Sequence, residues 1–238
     1  MTMNFLRELL LETMSDDDLE RQFVAAAMQH GYGEAPPSFT FLANQMTTRF
    51  PEYTYEGKMY RIIAIPKAVI RQAASRSDVL TYIRANAVLH RVVSWSKTLK
   101  GVIRYHNLVA GKNENIAGER VFVLLEQTAT GFDYRPWIQS YHQDRNNNVG
   151  MLYSSVQVFE VLAPLRQDAR ISLFFIRIGD SYVKFTPDNF GELKQNLDTS
   201  SLSDHVNPKA PKKKDLKYLS TNKKVSRVGI DFYDLPNT

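Results

Sequence analysis

The chain has 238 residues, of which 43% are hydrophobic and 11% aromatic, a composition that excludes a disordered protein and supports one domain with small appendages. It has no cysteine, which excludes a disulfide framework, thiolate catalysis and cysteine-ligated metal centres. The net charge of +5 comes largely from lysines near the end of the chain, and the five histidines lack close ligand spacing, which predicts no bound metal.

The beginning of the chain has the composition of a helix over residues 5–12. Its apolar stripe is interrupted by Arg7, Glu8 and Glu12, which a secretory signal would not contain. No stretch of the sequence approaches the roughly 20 apolar residues that are needed to span a bilayer. We therefore expect a cytoplasmic protein that has no membrane segment.

Two further helices are predicted next, and with the first they make residues 1–50 an N-terminal helical region. Ser15 is followed by three aspartates, a pattern that is typical of a helix start and predicts a helix over residues 16–30. The apolar spacing that follows a Pro-Pro pair predicts another short helix over residues 39–49.

Residues 51–196 mix strand patterns with helix patterns and are predicted to form the main domain, followed by a lysine-rich tail over residues 197–238. Strands are predicted over residues 53–65, 92–94, 120–126 and 153–164 and in a hairpin of 170–178 and 181–185, and helices over 77–88 and 97–107. Residues 131–150 are predicted to form a long exposed loop.

Three of the predicted strands carry polar residues among apolar neighbours. Glu160 lies in the last of them, where a buried carboxylate must find a partner because burial without one is costly. Arg61 lies in the first strand. Ser94 and Ser96 end the second strand with two hydroxyls that face the same way, just before a helix start that suits an anionic ligand. An arginine, a Ser-x-Ser and a glutamate thus follow one another on separate short strands.

This ordered set resembles the mono-ADP-ribosyltransferases of the Arg-Ser-Glu type, which include cholera-like toxins, clostridial exoenzymes and transferases of tailed phages. The matching segments are Tyr60-Arg61, Ser94-Trp95-Ser96-Lys97 and Phe159-Glu160-Val161-Leu162-Ala163-Pro164. The resemblance covers roughly residues 53–185. It implies an α+β fold with N-terminal helices, in which two packed antiparallel β-sheets, flanked by helices, form an NAD cleft.

The resemblance also implies the catalytic residues Glu160, Ser94 and Arg61, with NAD as the bound dinucleotide. A fixed carboxylate at Glu160 would stabilise the oxocarbenium-like ribose that develops as the bond to nicotinamide breaks. Ser94 would orient Glu160, and Arg61 would bind the phosphates of the dinucleotide. Ser96 would line the cleft, and the backbone of Ile62 would hold the nicotinamide amide.

The residue two positions before Glu160 is relevant to which acceptor the protein modifies. Transferases that modify arginine carry Glu or Gln there, whereas this chain has Val158. Either the acceptor is not a simple arginine side chain, or the loop from Gly131 to Ser155 supplies the contacts to it through Tyr141, Tyr153 or Gln157. We expect the acceptor to be a host protein, with nucleic acid as the alternative. The protein would then be a phage or bacterial effector that acts in the host cytoplasm, whether or not a virion carries it.

Each motif also has a structural interpretation. Arg61 is alternatively an ion-paired arginine at the surface. Ser94 and Ser96 alternatively cap the helix that follows them. Glu160 alternatively faces water from an edge strand. Two other functions remain open: an NAD glycohydrolase, in which water replaces the acceptor, and a non-catalytic nucleic-acid-binding or virion-associated protein that uses its lysine-rich tail.

Overall fold

A computed structural model describes residues 14–31, 38–86, 92–110, 120–145, 160–178 and 181–203. The helices are α1 (Asp16–Gly31), α2 (Phe39–Arg49), α3 (Lys67–Gln72), α4 (Arg76–Asn86), α5 (Leu99–Ala110), α6 (Tyr134–Arg145) and α7 (Phe190–Ser203). The strands are β1 (Thr54–Pro66), β2 (Val92–Ser96), β3 (Arg120–Asp133), β4 (Glu160–Pro164), β5 (Arg170–Ile178) and β6 (Ser181–Phe185). Single 3-10 turns precede β1 and α7.

The strands are hydrogen-bonded in the order β1-β2-β4-β3-β5-β6, and β1 also pairs with β3. The pairings β2–β4, β3–β4, β3–β5 and β5–β6 are all antiparallel. The predicted α+β class with antiparallel strands is therefore confirmed.

The chain divides into two units. The first unit consists of Met1–Met59, Ala87–Gly101 and Gln127–Asp168, and the second of Tyr60–Asn86, Val102–Glu126 and Ala169–Thr238. Strand β1, strand β3 and helix α5 each cross a unit boundary. The early part of β1 and the late part of β3 belong to the first unit.

The core of the first unit is built around the N-terminal helices. Phe23 of α1 stacks on Phe39 of α2, with ring centroids 6.0 Å apart, and meets Phe132 and Trp137 edge to face at 5.3 and 5.2 Å. All four side chains are essentially fully buried, so they supply a large share of the apolar area removed from water. Leu162 of β4 belongs to the same cluster, and the helices therefore pack against the strand that carries Glu160.

Local chemistry explains where α1 begins. Ser15 Oγ accepts a hydrogen bond from the backbone N–H of Asp18 at 3.2 Å and donates to the Asp18 carboxylate at 2.7 Å. Ser15 is therefore the N-cap of α1, and its hydroxyl also bonds the side chain of the third helical residue. The hydrogen bond from Ser15, with a further one from Arg21, lowers the pKa of Asp18, which keeps a negative charge at the positive end of the helix dipole.

Most predicted elements lie where the sequence placed them, and one prediction was wrong. Residues 131–150 were predicted to be an exposed loop, but β3 continues to Asp133 and α6 occupies Tyr134–Arg145, while residues 146–150 lie outside the described residues. Strand β3 thus extends seven residues beyond the predicted end, from 126 to 133. Helices α3 and α7 were not predicted. The predicted helix over 5–12 and the first part of the predicted strand over 153–164 lie outside the described residues.

The second unit contains a buried titratable side chain, His106 of α5. It is 5% exposed, and its ring lies edge-on to Phe122 and Tyr182, with centroids 4.3 and 5.6 Å away. In the described part of the chain, His106 Nε2 and the Tyr182 hydroxyl are buried polar atoms without a hydrogen-bond partner. Burial lowers the pKa of His106 to about 4 and raises the pKa of Tyr182. His106 is therefore neutral at pH 7.

Candidate functional site

The candidate site lies in the first unit, at one end of the β2–β4 pair. The register places Ser96 opposite Glu160 and Ser94 opposite Leu162. Directly opposed residues of an antiparallel pair share a face, and alternate residues of a strand do too, so all four side chains lie on one face. Leu162 is covered by the helices at one end of this face. Ser96 and Glu160 lie at the other end of this face, and Ser94 lies between them and the helices, directly opposite Leu162.

Ser94 and Glu160 are in direct contact. Ser94 Oγ donates a hydrogen bond to Glu160 Oε1 between residues that are 66 positions apart in the sequence. Glu160 is 9% exposed, and the three residues that follow it in β4 are buried. A nearly buried carboxylate with a hydroxyl donor has a fixed orientation, because rotating it away would give up the hydrogen bond without gaining water.

Ser96 is buried and is engaged locally. Its Oγ donates to the backbone carbonyl of Thr98 at 2.9 Å and accepts from the Thr98 N–H at 3.3 Å. The start of α5 is capped by Thr98, whose Oγ1 accepts the N–H of Gly101 at 3.0 Å. The alternative in which Ser94 and Ser96 cap the helix is therefore wrong for both. Ser96 instead shapes the corner between β2 and α5.

The other face of the β2–β4 pair is anchored by Trp95. Its side chain is 2% exposed, and its Nε1 donates to the backbone carbonyl of Ala163 at 3.1 Å. A buried indole that is hydrogen-bonded across the pair resists sliding of one strand past the other, since a register shift would bury an unpaired donor. Trp95 thus holds the register that brings Ser94 to Glu160.

A partly buried ion pair lies beside this strand pair. Lys97 Nζ is 2.6 Å from Asp133 Oδ2, and the side chains of Lys97 and Asp133 are 20% and 10% exposed. The same ammonium lies 5.4 Å from the ring centroid of Tyr55, within reach of a cation–π contact. Asp133 also caps α6, because its Oδ1 accepts the N–H of Arg135 at 3.2 Å.

These residues were not predicted as part of the site. Lys97 was noted only as the residue that follows Ser96, and Asp133 was placed in a loop. A signal for Asp133 is present in the sequence, since an aspartate three residues before Pro136 is typical of a helix start. The pairing of Lys97 with Asp133 is a tertiary contact and has no local signal.

Strands β3 and β4 approach each other closely at Gly131. A Cβ atom at this position would lie 2.4 Å from the carbonyl oxygen of Leu162 and 2.8 Å from the side chain of Val161. Any side chain would therefore push the two strands apart. Gly131, which indicated a loop in the sequence, instead permits a close approach of two strands.

The remaining predicted site residues lie elsewhere. Arg61 and Ile62 belong to β1 in the second unit and are partly buried. Tyr153, Gln157 and Val158 lie outside the described residues. The structure thus brings together the predicted Ser94, Ser96 and Glu160, all within the first unit.

Within the described ranges, no cluster of three or more histidine or acidic side chains has the geometry to hold a metal ion. None of the helices in that part of the chain is long and apolar enough to cross a membrane. Comparisons of the chain with protein-family models, with curated proteins and with solved structures found no match.

Proposed function

We propose that the protein is an NAD-dependent mono-ADP-ribosyltransferase with Glu160 as its catalytic carboxylate. The observation that carries the proposal is the hydrogen bond from Ser94 Oγ to Glu160 Oε1. The resemblance described above pairs a serine of the Ser-x-Ser motif with the glutamate of a later strand. The β2–β4 register, with Ser96 opposite Glu160, is the arrangement that such a pairing needs.

The chemistry of the residues fits a dinucleotide whose glycosidic bond is to be broken. Departure of nicotinamide leaves positive charge on the ribose, and an anion held at a fixed position stabilises that charge without reorganisation. Glu160 supplies the anion, and Ser94 holds it. In this proposal Arg61 binds the phosphates of the dinucleotide, and the backbone of Ile62 holds the nicotinamide amide.

Two acceptors are compatible with the proposal. A host protein is the first, and nucleic acid is the second. The presence of Val158, where arginine-modifying transferases carry an acidic or amide side chain, also favours a related activity in which water is the acceptor. An NAD glycohydrolase would use Glu160 and Ser94 in the same roles and would differ only in the second half of the reaction.

The test measures nicotinamide release from NAD together with transfer of labelled ADP-ribose into a bacterial lysate. The parent is compared with Glu160→Gln, which keeps the shape of the side chain and removes its charge. Glu52→Gln is the matched control, because Glu52 is an exposed carboxylate in the same unit. We expect release and labelling to vanish in Glu160→Gln and to persist in Glu52→Gln.

Other outcomes discriminate among the candidates. Release without labelling in the parent would favour the glycohydrolase. Equal release by the parent and by Glu160→Gln would show that Glu160 is not the catalytic carboxylate. An absence of both signals in the parent, with no NAD binding by calorimetry, would refute the enzymatic proposal.

A further inference from the structure

We propose that the Lys97–Asp133 ion pair is a positioning device that holds Glu160 in its reactive orientation; this inference rests on the proposed function. Neither side chain is assigned to the site by the motif resemblance. Both belong to the first unit, as Glu160 does. Their role follows from where the two residues lie along the strands that flank β4.

Strand β4 lies between β2 and β3 in the hydrogen-bonded order. On the β2 side, Ser96 is opposite Glu160, and Lys97 is the next residue of the chain. On the β3 side, Asp133 is opposite Val161, the residue that follows Glu160. The ion pair therefore joins the two neighbours of β4 across that strand, at the level of Glu160.

Each partner of the ion pair is held by a second interaction. Asp133 uses its other oxygen, Oδ1, to accept the N–H of Arg135 at the start of α6. Lys97 lies over the ring of Tyr55. A carboxylate and an ammonium fixed in this way have little rotamer freedom. Their contact therefore fixes the end of β2 relative to the end of β3.

The burial of the pair separates it from an ordinary surface ion pair. Surface pairs are screened by water and contribute little to structure. The side chains of Lys97 and Asp133 are 20% and 10% exposed, whereas those of the Arg166–Asp168 pair in the same unit are 51% and 61% exposed. Loss of either partner leaves an uncompensated charge in this largely water-excluded position, which is relieved when the strand ends move apart or water enters.

A displaced strand end would affect the chemical step more than binding. Displacement of a catalytic group by about 1 Å can lower a rate by about 100-fold. Lys97 and Asp133 are positioning residues, because the register puts them beside the strand that carries Glu160 and not on its reactive face. Substitution is therefore expected to lower kcat and to leave the KM for NAD nearly unchanged.

The test measures kcat and KM for nicotinamide release per folded molecule, well below the unfolding temperature of each variant. Lys97→Met removes the charge and keeps the length of the side chain. Asp133→Asn keeps an oxygen for the Arg135 N–H, and it serves as the second variant if Lys97→Met does not fold. We expect kcat to fall by about 10- to 100-fold in each, with KM within about twofold of the parent.

Two further variants sharpen the result. The double variant Lys97→Met/Asp133→Asn is expected to lose no more activity than either single variant, because the two residues act as one unit. Arg166→Met breaks the exposed pair and is expected to match the parent. Unchanged kcat in both single variants of an active parent would overturn the positioning role alone. An inactive parent would overturn the proposed function and the positioning role together.

Discussion

Acidification is expected to destabilise the protein through His106. This side chain is 5% exposed, packs against Phe122 and Tyr182, and leaves its Nε2 without a hydrogen-bond partner among the described residues. Among the described groups, the titratable or charged ones that bear on this site are the Tyr182 hydroxyl and Arg177. Neither carries a negative charge in the acidic range, so an imidazolium here would have no counter-ion to offset its desolvation.

The size and the sign of the effect follow from the two pKa values of His106. Its ordinary pKa is 6.5, and burial lowers the pKa in the folded protein to about 4. Between these values the unfolded chain binds more protons than the folded chain, so stability falls as the pH falls from 6.5 towards 4 and is unaffected by this group above about pH 7. The free energy of unfolding is expected to lose about 2 kcal/mol by pH 5 and about 3 kcal/mol by pH 4 from this side chain.

Urea unfolding of the parent and of His106→Phe at about pH 7 and about pH 5 measures this contribution. The variant keeps an aromatic ring in the cluster and cannot be protonated. We expect the free energy of unfolding to fall by about 2 kcal/mol more in the parent than in the variant over this interval. The control, Tyr182→Phe, removes the other unpaired polar atom and should keep the pH dependence of the parent. A difference between parent and His106→Phe that is the same at both pH values would refute the reasoning.

Four other substitutions have defined outcomes. Gly131→Ala is expected to lower the free energy of unfolding by about 1–3 kcal/mol, because its Cβ would overlap Leu162 O, and urea unfolding measures this loss. Thr98→Ala removes the cap of α5 and should cost about 1 kcal/mol in the same assay, whereas an unchanged midpoint would contradict the assignment of the cap. Ser94→Ala should lower the rate of nicotinamide release by about 10- to 100-fold, since a hydrogen bond to a charged group contributes about 1.5–3 kcal/mol. Ser96→Ala, whose hydroxyl bonds Thr98, should lower that rate less than Ser94→Ala does.

Helices α1, α2, α4 and α5 and the hairpin could be predicted because their signals are local. Ser15 and the aspartates after it define the start of α1 within one turn of helix. Strands β5 and β6 are joined directly, so their pairing follows from sequence adjacency. The residues of the candidate site were likewise recognisable as polar residues in short apolar strands, namely Ser94, Ser96 and Glu160.

The contacts within the site could not be predicted in the same way. The pairing of β2 with β4 joins segments more than 60 residues apart, and such registers depend on the whole core. The end of β3 was missed because Gly131 normally signals a turn, whereas here it allows β3 to approach β4. That error moved Asp133 into a loop and hid its pairing with Lys97.

In the proposed function, Glu160 serves the reaction and is not needed for the stability of the fold. Removing a carboxylate from water costs several kcal/mol, of which the hydrogen bond from Ser94 offsets about 1.5–3 kcal/mol. The residues that follow it in β4 are apolar and buried, so an apolar side chain would suit the strand better. Glu160→Val is therefore expected to unfold at the same temperature as the parent or higher while releasing no nicotinamide. A variant that unfolds at a lower temperature and still releases nicotinamide would mean that Glu160 supports the fold and not the reaction.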